Sequence, residues 1–150
     1  MRLTTKTEYG LVCLIHLARH SSSNPVQVVT IKNMVEAEHY SETYVAKILN
    51  RLKRAGIVKP HHGNQGGYTL GKNASEITLR EIIEALEGTT FEVFCQPKIR
   101  SEIVCNHFNL CGISPVWSRT KELLDEFYSS VTLEMMAKNN FAPTQKERHR

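Results

Sequence analysis

The spacing of apolar and polar positions changes character several times along this chain. Leu11, Leu14, Ile15 and Ala18 recur at the i, i+3, i+4, i+7 interval that lines one face of a helix, and the polar stretch from Ser21 to Pro25 ends it. Thr30 offers an N-cap to a second helix of only about two turns, with Ile31, Met34 and Val35 facing inward. A turn near His39 and Tyr40 follows. Ser41 is placed to cap a third helix whose inward stripe is Val45, Ile48, Leu49 and Leu52. Glu42 in its first turn suits the helix dipole, and Gly56 stands where a left-handed stop is needed.

The period then shortens. Residues 57–59 and 67–70 read as two strands joined by the Gly-containing segment 61–66, a hairpin that forms a wing. Thr78 with Glu81 predicts a capping box for a helix buried through Leu79, Ile82, Ile83 and Leu86 and closed by Gly88. Residues 89–114 lack periodicity and read as a loop that needs an outside constraint to be ordered. Ser114 and Pro115 then open a long helix. Its apolar residues Val116, Leu123, Leu124, Phe127, Tyr128 and Val131 exceed what one small domain covers, which predicts pairing with a second copy. Thr132 caps a last short turn through Met136, and residues 138–150 are polar, basic and aperiodic.

The fold expected is mainly α with a small β wing: a winged helix-turn-helix domain over residues 1–88, a cysteine-containing loop over 89–114, a dimerisation helix over 115–136 and a flexible tail over 137–150. A chain of 150 residues has room for one such domain and a pairing helix. No apolar run approaches the roughly 20 residues needed to span a bilayer. The N-terminal stretch is broken by His16 and Arg19 and does not read as a secretory signal, so a cytoplasmic protein is expected.

Charge locates the partner. The net charge is +4, but residues 1–72 hold ten Lys and Arg against four Asp and Glu, whereas the remainder holds nine against eleven. The basic half is where a polyanion docks. Thr43, Lys47, Asn50 and Arg54 fall three or four apart, so they share one exposed stripe of the third helix. Such a helix fits the major groove of double-stranded DNA. Thr43 and Lys47 would meet base edges, Arg51, Lys53 and Arg54 would neutralise phosphates, and the wing would reach the neighbouring minor groove. An isolated basic stripe is also what a solvated helix face looks like; the hairpin after it and the charge asymmetry favour DNA.

Cys95, Cys105 and Cys111 crowd into seventeen residues, with nine and five residues between them. Thiolates are soft ligands suited to an iron-sulfur cluster or zinc, and a polar loop of this length can wrap them around one centre. Cys13, between Val12 and Leu14 on the first helix, reads as packing. A fourth ligand is open between His107, which would make a Cys3His site suited to zinc, and Glu8, which by itself is an ordinary exposed carboxylate. No phosphate-binding loop or paired catalytic carboxylates occur, and an enzyme is not expected.

The chain resembles the bacterial Rrf-type winged-helix regulators, the group that includes IscR, NsrR and the iron regulator RirA. The residues that carry the resemblance are Met1-Arg2-Leu3-Thr4, Ser41-x-x-Tyr44 with Lys47, Leu52-x-x-x-Gly56-Ile57-Val58, Gly66-Gly67-Tyr68-x-Leu70, the stretch from Ile77 to Glu87, and Thr132-Leu133. It implies a homodimer with crossed long helices and a 2Fe-2S or 4Fe-4S cluster on Cys95, Cys105 and Cys111. It places Glu8 where NsrR-like members donate a fourth ligand from the other subunit. It also implies a repressor of transcription responding to iron, nitric oxide or redox state, with Ser41, Tyr44 and Lys47 on the reading helix and His62 and Asn64 on the wing facing an operator. The chain departs from the group in four places: the gap between the first two cysteines is longer, Ser114 replaces the ligand histidine of IscR, and His62 and Ala46 replace an arginine and a glutamate that IscR uses on DNA. A structural zinc or a metal-free thiol switch is the alternative reading of the same cysteines.

Overall fold

In the computed structural model, which describes residues 3–23, 25–93 and 111–142, helix α1 (Thr5–Ser21) starts after Thr4, whose extended backbone presents its carbonyl to the N–H groups of Thr7 and Glu8. The Thr4 hydroxyl does not cap the helix, because it donates to the Glu87 carboxylate instead. Helix α2 (Ile31–Glu38) has the expected Thr30 cap: the Asn33 N–H donates to the Thr30 hydroxyl at 3.1 Å and Asn33 Oδ1 accepts the Thr30 N–H. His39, at φ 57°, turns the chain toward α3 (Glu42–Arg54).

Ser41 takes the N-cap position of α3, and its carbonyl accepts from Tyr44 and Val45, but its hydroxyl makes no capping bond, contrary to the sequence expectation. The other end behaves as expected. Gly56 sits at φ 73°, its N–H donates to the Lys53 carbonyl and the Ile57 N–H reaches back to that of Leu52, while Leu52 and Ile57 bury their side chains together. This paired closure satisfies carbonyls that the helix end would otherwise leave open.

The wing pairs β1 (Val58–His61) antiparallel to β2 (Gly67–Leu70), with Lys59 opposite Thr69 and Pro60 opposite Tyr68. The first strand continues two residues beyond the expected 57–59. Pro60 is tolerated because Tyr68 turns its N–H and carbonyl away from β1, toward Val29, and exchanges hydrogen bonds of 2.8 and 3.0 Å with it. Val29 is thus a one-residue third strand. Gly67 is needed beside it, since a Cβ there would overlap the Val29 carbonyl.

After a 3-10 turn (Ala74–Glu76), α4 (Leu79–Glu87) carries the expected box, the Glu81 N–H donating to the Thr78 hydroxyl at 3.2 Å and the Thr78 N–H donating to the Glu81 carboxylate at 3.0 Å. The long helix α5 (Ser114–Ser130) and the short α6 (Leu133–Ala137) complete the described chain. One hydrophobic core draws on both ends of the sequence: Leu14, Leu17, Met34, Ile48, Leu49, Leu52, Ile77, Ile82 and Leu86 close around Leu133, all with at most 2% of their surface exposed. Backbone bonds from Leu79 to Val131 and from Leu133 to Ile77 stitch the α5–α6 joint to the entry of α4. Among the described residues no helix is long and apolar enough to cross a membrane.

Candidate functional site

Four buried residues of α3, Val45, Ile48, Leu49 and Leu52, fix the helix's rotation, and that rotation leaves Thr43, Lys47, Asn50 and Arg54 exposed on the opposite side. The sequence-predicted stripe is therefore assembled. Ser41 is exposed at its start, with a hydroxyl unused by the helix. Tyr44 is half-buried instead, its ring edge-on to Tyr9 at 5.5 Å, and Tyr9 stacks on Tyr40 at 3.8 Å. This three-ring cluster locks the α2–α3 turn to α1; only Tyr44 of the three stood out in the sequence. Arg51 lies at the margin of the stripe, and its guanidinium donates to the Leu86 carbonyl at 3.2 Å, joining α3 to the end of α4.

The wing presents His62 and Asn64 on its exposed turn, which closes with a bond from the Gly66 N–H to the Gly63 carbonyl. His61 is held differently, by a 2.9 Å hydrogen bond between its Nε2 and the Thr69 hydroxyl across the hairpin.

Of the residues expected to ligate a cluster, Cys95 and Cys105 lie outside the described residues, as does His107. Cys111 is half-buried, three positions before α5. Glu8 is exposed in the first turn of α1, and its carboxylate makes no hydrogen bond or ion pair with another described residue. Cys13 is buried, as its position between apolar neighbours suggested, and burial together with nearby Glu38 pushes its thiol up to about 11, which keeps it protonated and a poor ligand. Among the described residues no three His, Cys, Asp or Glu side chains are placed to hold a metal ion.

Where the cysteine segment begins, the fold is tightly held. Buried Thr90 donates to Asp125 of α5, which also accepts from Lys121 at 2.6 Å and faces Arg80 of α4 at 3.7 Å. Burial raises the Asp125 carboxyl, but the Lys121 and Thr90 hydrogen bonds outweigh it and hold the group below the ordinary carboxylate range. Phe91 packs near Trp117, ring centres 6.0 Å apart. The segment therefore starts from a node that touches both the wing domain and the long helix.

An exposed basic helix, set by a short helix before it and flanked by a β hairpin after it, defines a winged helix-turn-helix protein of the DNA-binding class. Residues 3–139 match the Rrf2 family, described as iron-dependent transcriptional regulators, and the chain belongs to that family. It is 32% identical to the HTH-type transcriptional regulator IscR of Photorhabdus laumondii over 139 residues, covering 93% of this chain and 80% of the relative. Among solved structures it is similar to CymR, "the Global Cysteine Regulator of B. subtilis" (TM-score 0.70, 29% identity, 94% and 99% of the two chains), and to T. potens IscR (TM-score 0.68, 26% identity, 95% and 93%). The chain is accordingly a transcriptional regulator and not an enzyme.

Proposed function

We propose that the chain is a cytoplasmic, homodimeric repressor whose grip on a double-stranded DNA operator is set by an iron-sulfur cluster, 2Fe-2S or 4Fe-4S, held by Cys95, Cys105 and Cys111 with Glu8 of the partner subunit as the fourth ligand. The observation that carries this reading is the anchoring of the cysteine segment at Thr90, Asp125 and Arg80, between the reading domain and α5. The donor set suits the group: three thiolates in a polar segment and a carboxylate with no competing partner in the described chain. A bound cluster would supply a centre sensitive to iron supply, nitric oxide or oxidants.

The protein's own residues do the rest. Lys47 and Thr43 meet base edges in the major groove, with Ser41 and Asn50 beside them, while Arg54 neutralises phosphate and His62 and Asn64 follow the minor groove. Pairing rests on α5 and its N-cap Ile113, where Ile113, Val116, Leu123 and Phe127 are 40–54% exposed and spaced three, seven and four residues apart, the seam spacing of two helices packed along their length. A groove of about 330 Å³ bounded by Phe127, Met135 and Phe141 continues that apolar face.

The test is composition and absorption after anaerobic purification. Iron and acid-labile sulfide should accompany the wild type, vanish with Cys105→Ala, and persist with a shifted visible spectrum in Glu8→Ala. A colourless wild type without sulfide overturns the cluster. The similarity to Staphylococcus aureus CymR, which has been solved in an oxidized form, favours a second reading in which the same thiols act without metal; peroxide would then alter DNA binding of the colourless protein.

A further inference from the structure

Outside the cysteine segment, the last turns of α1 gather ligand chemistry that the DNA-binding reading leaves unused. His16 and His20 are one helical turn apart, both half-buried, with ring centres 4.5 Å apart and planes inclined by 33°. Two imidazoles that share one ion lie at about this separation, because each ring centre stands roughly 3 Å from a metal bound about 2 Å from its nitrogen. The His20 Nδ1 is 2.8 Å from the His16 carbonyl. That carbonyl can only accept, so in the neutral ring the proton sits on Nδ1 and Nε2 keeps its lone pair. A backbone carbonyl holding the far nitrogen in this way is the arrangement that orients ligating histidines.

The surroundings agree. The carboxylate of Glu38, at the end of α2, acts electrostatically on His16 and supplies negative field, and Arg19, the nearby cation, donates from its Nε to the Ala137 carbonyl. We propose that His16 and His20 form a two-histidine chelate for a borderline divalent metal ion of the nickel or zinc type, completed by water. The site is separate from the cysteines and holds whether or not the chain carries a cluster. With two protein ligands on one helix it is a weak, exchangeable site that braces the last turns of α1.

The probe is Ni²⁺ alone, titrated by calorimetry into the tag-free full-length chain with Cys95, Cys105 and Cys111 all changed to Ser, so that thiols do not compete. One ion per chain is expected. His20→Gln and His16→Gln should each weaken binding at least about tenfold, with unchanged far-ultraviolet circular dichroism, and His61→Ala/His62→Ala should bind like the parent. In amide NMR spectra, paramagnetic broadening should centre on residues 16–20 in the parent and disappear in His20→Gln, which distinguishes a lost ligand from a lost fold. Absence of Ni²⁺ binding, or binding that survives both glutamine variants, overturns the proposal.

Discussion

Glu87 ties the first residues of the chain to the end of α4: it accepts from Thr7 at 2.5 Å and from Thr4, and pairs with Lys6 at 3.0 Å. Burial raises its carboxyl, but those donors more than offset the effect and hold it below the ordinary range, as the donors around Glu81 and Asp125 do for theirs. Carboxyls depressed in the folded state stabilise it above their unfolded value, and that stability is lost as pH falls through the folded value. Thermal unfolding should therefore show a plateau near neutrality and a melting temperature that drops as pH falls below about 4.5, where unfolded carboxyls take up protons. Glu87→Gln should cost about 1 kcal/mol at neutral pH and flatten the acid limb; an unaltered limb would show that this carboxyl does not contribute. Arg51 and Arg54 separate two roles at the same scale. Arg54→Ala should lower the salt dependence of DNA binding by about one ion per subunit and leave stability alone. Arg51→Ala, which loses the bond to Leu86, should lower stability by about 1 kcal/mol, measurable by urea unfolding.

Each element has a local reason to exist, and this governs what could be read from the sequence. Capped helices such as α2 and α4 were legible because Thr30 and the Thr78–Glu81 pair act within four residues. The recognition stripe was legible because helical periodicity alone decides which side of α3 is buried. The third strand was not: Val29 is a single bridging residue with no alternation around it. Nor was the fate of the Thr4 hydroxyl or of the Arg51 guanidinium, whose partners lie 83 and 35 residues away. Glycine in the wing has an equally nonlocal cause. Gly67→Ala should drive a methyl group into the Val29 carbonyl and destabilise the protein by about 1–3 kcal/mol, read as a lower urea midpoint. Its DNA affinity should fall because the wing is displaced; a variant with wild-type midpoint and affinity would show that the strand can shift at no cost.

At the scale of the molecule, α6, the last helix among the described residues, is part of the reading domain's core. Leu133→Ala should lower stability by about 2–5 kcal/mol although it lies far along the chain from α3, which urea unfolding would register. Leu123, half-exposed on α5, should by contrast matter only to assembly: Leu123→Glu should give a monomer by sedimentation, with operator affinity reduced because two half-sites are no longer held together. Transmission of the state of the cysteine segment to α3 and the wing can be decided by one anaerobic anisotropy titration of operator DNA, comparing iron-loaded protein with the same protein stripped of iron by a chelator. Affinities that differ by about 5- to 150-fold are expected; superimposable curves from protein proven loaded and proven empty would show that the two are not coupled.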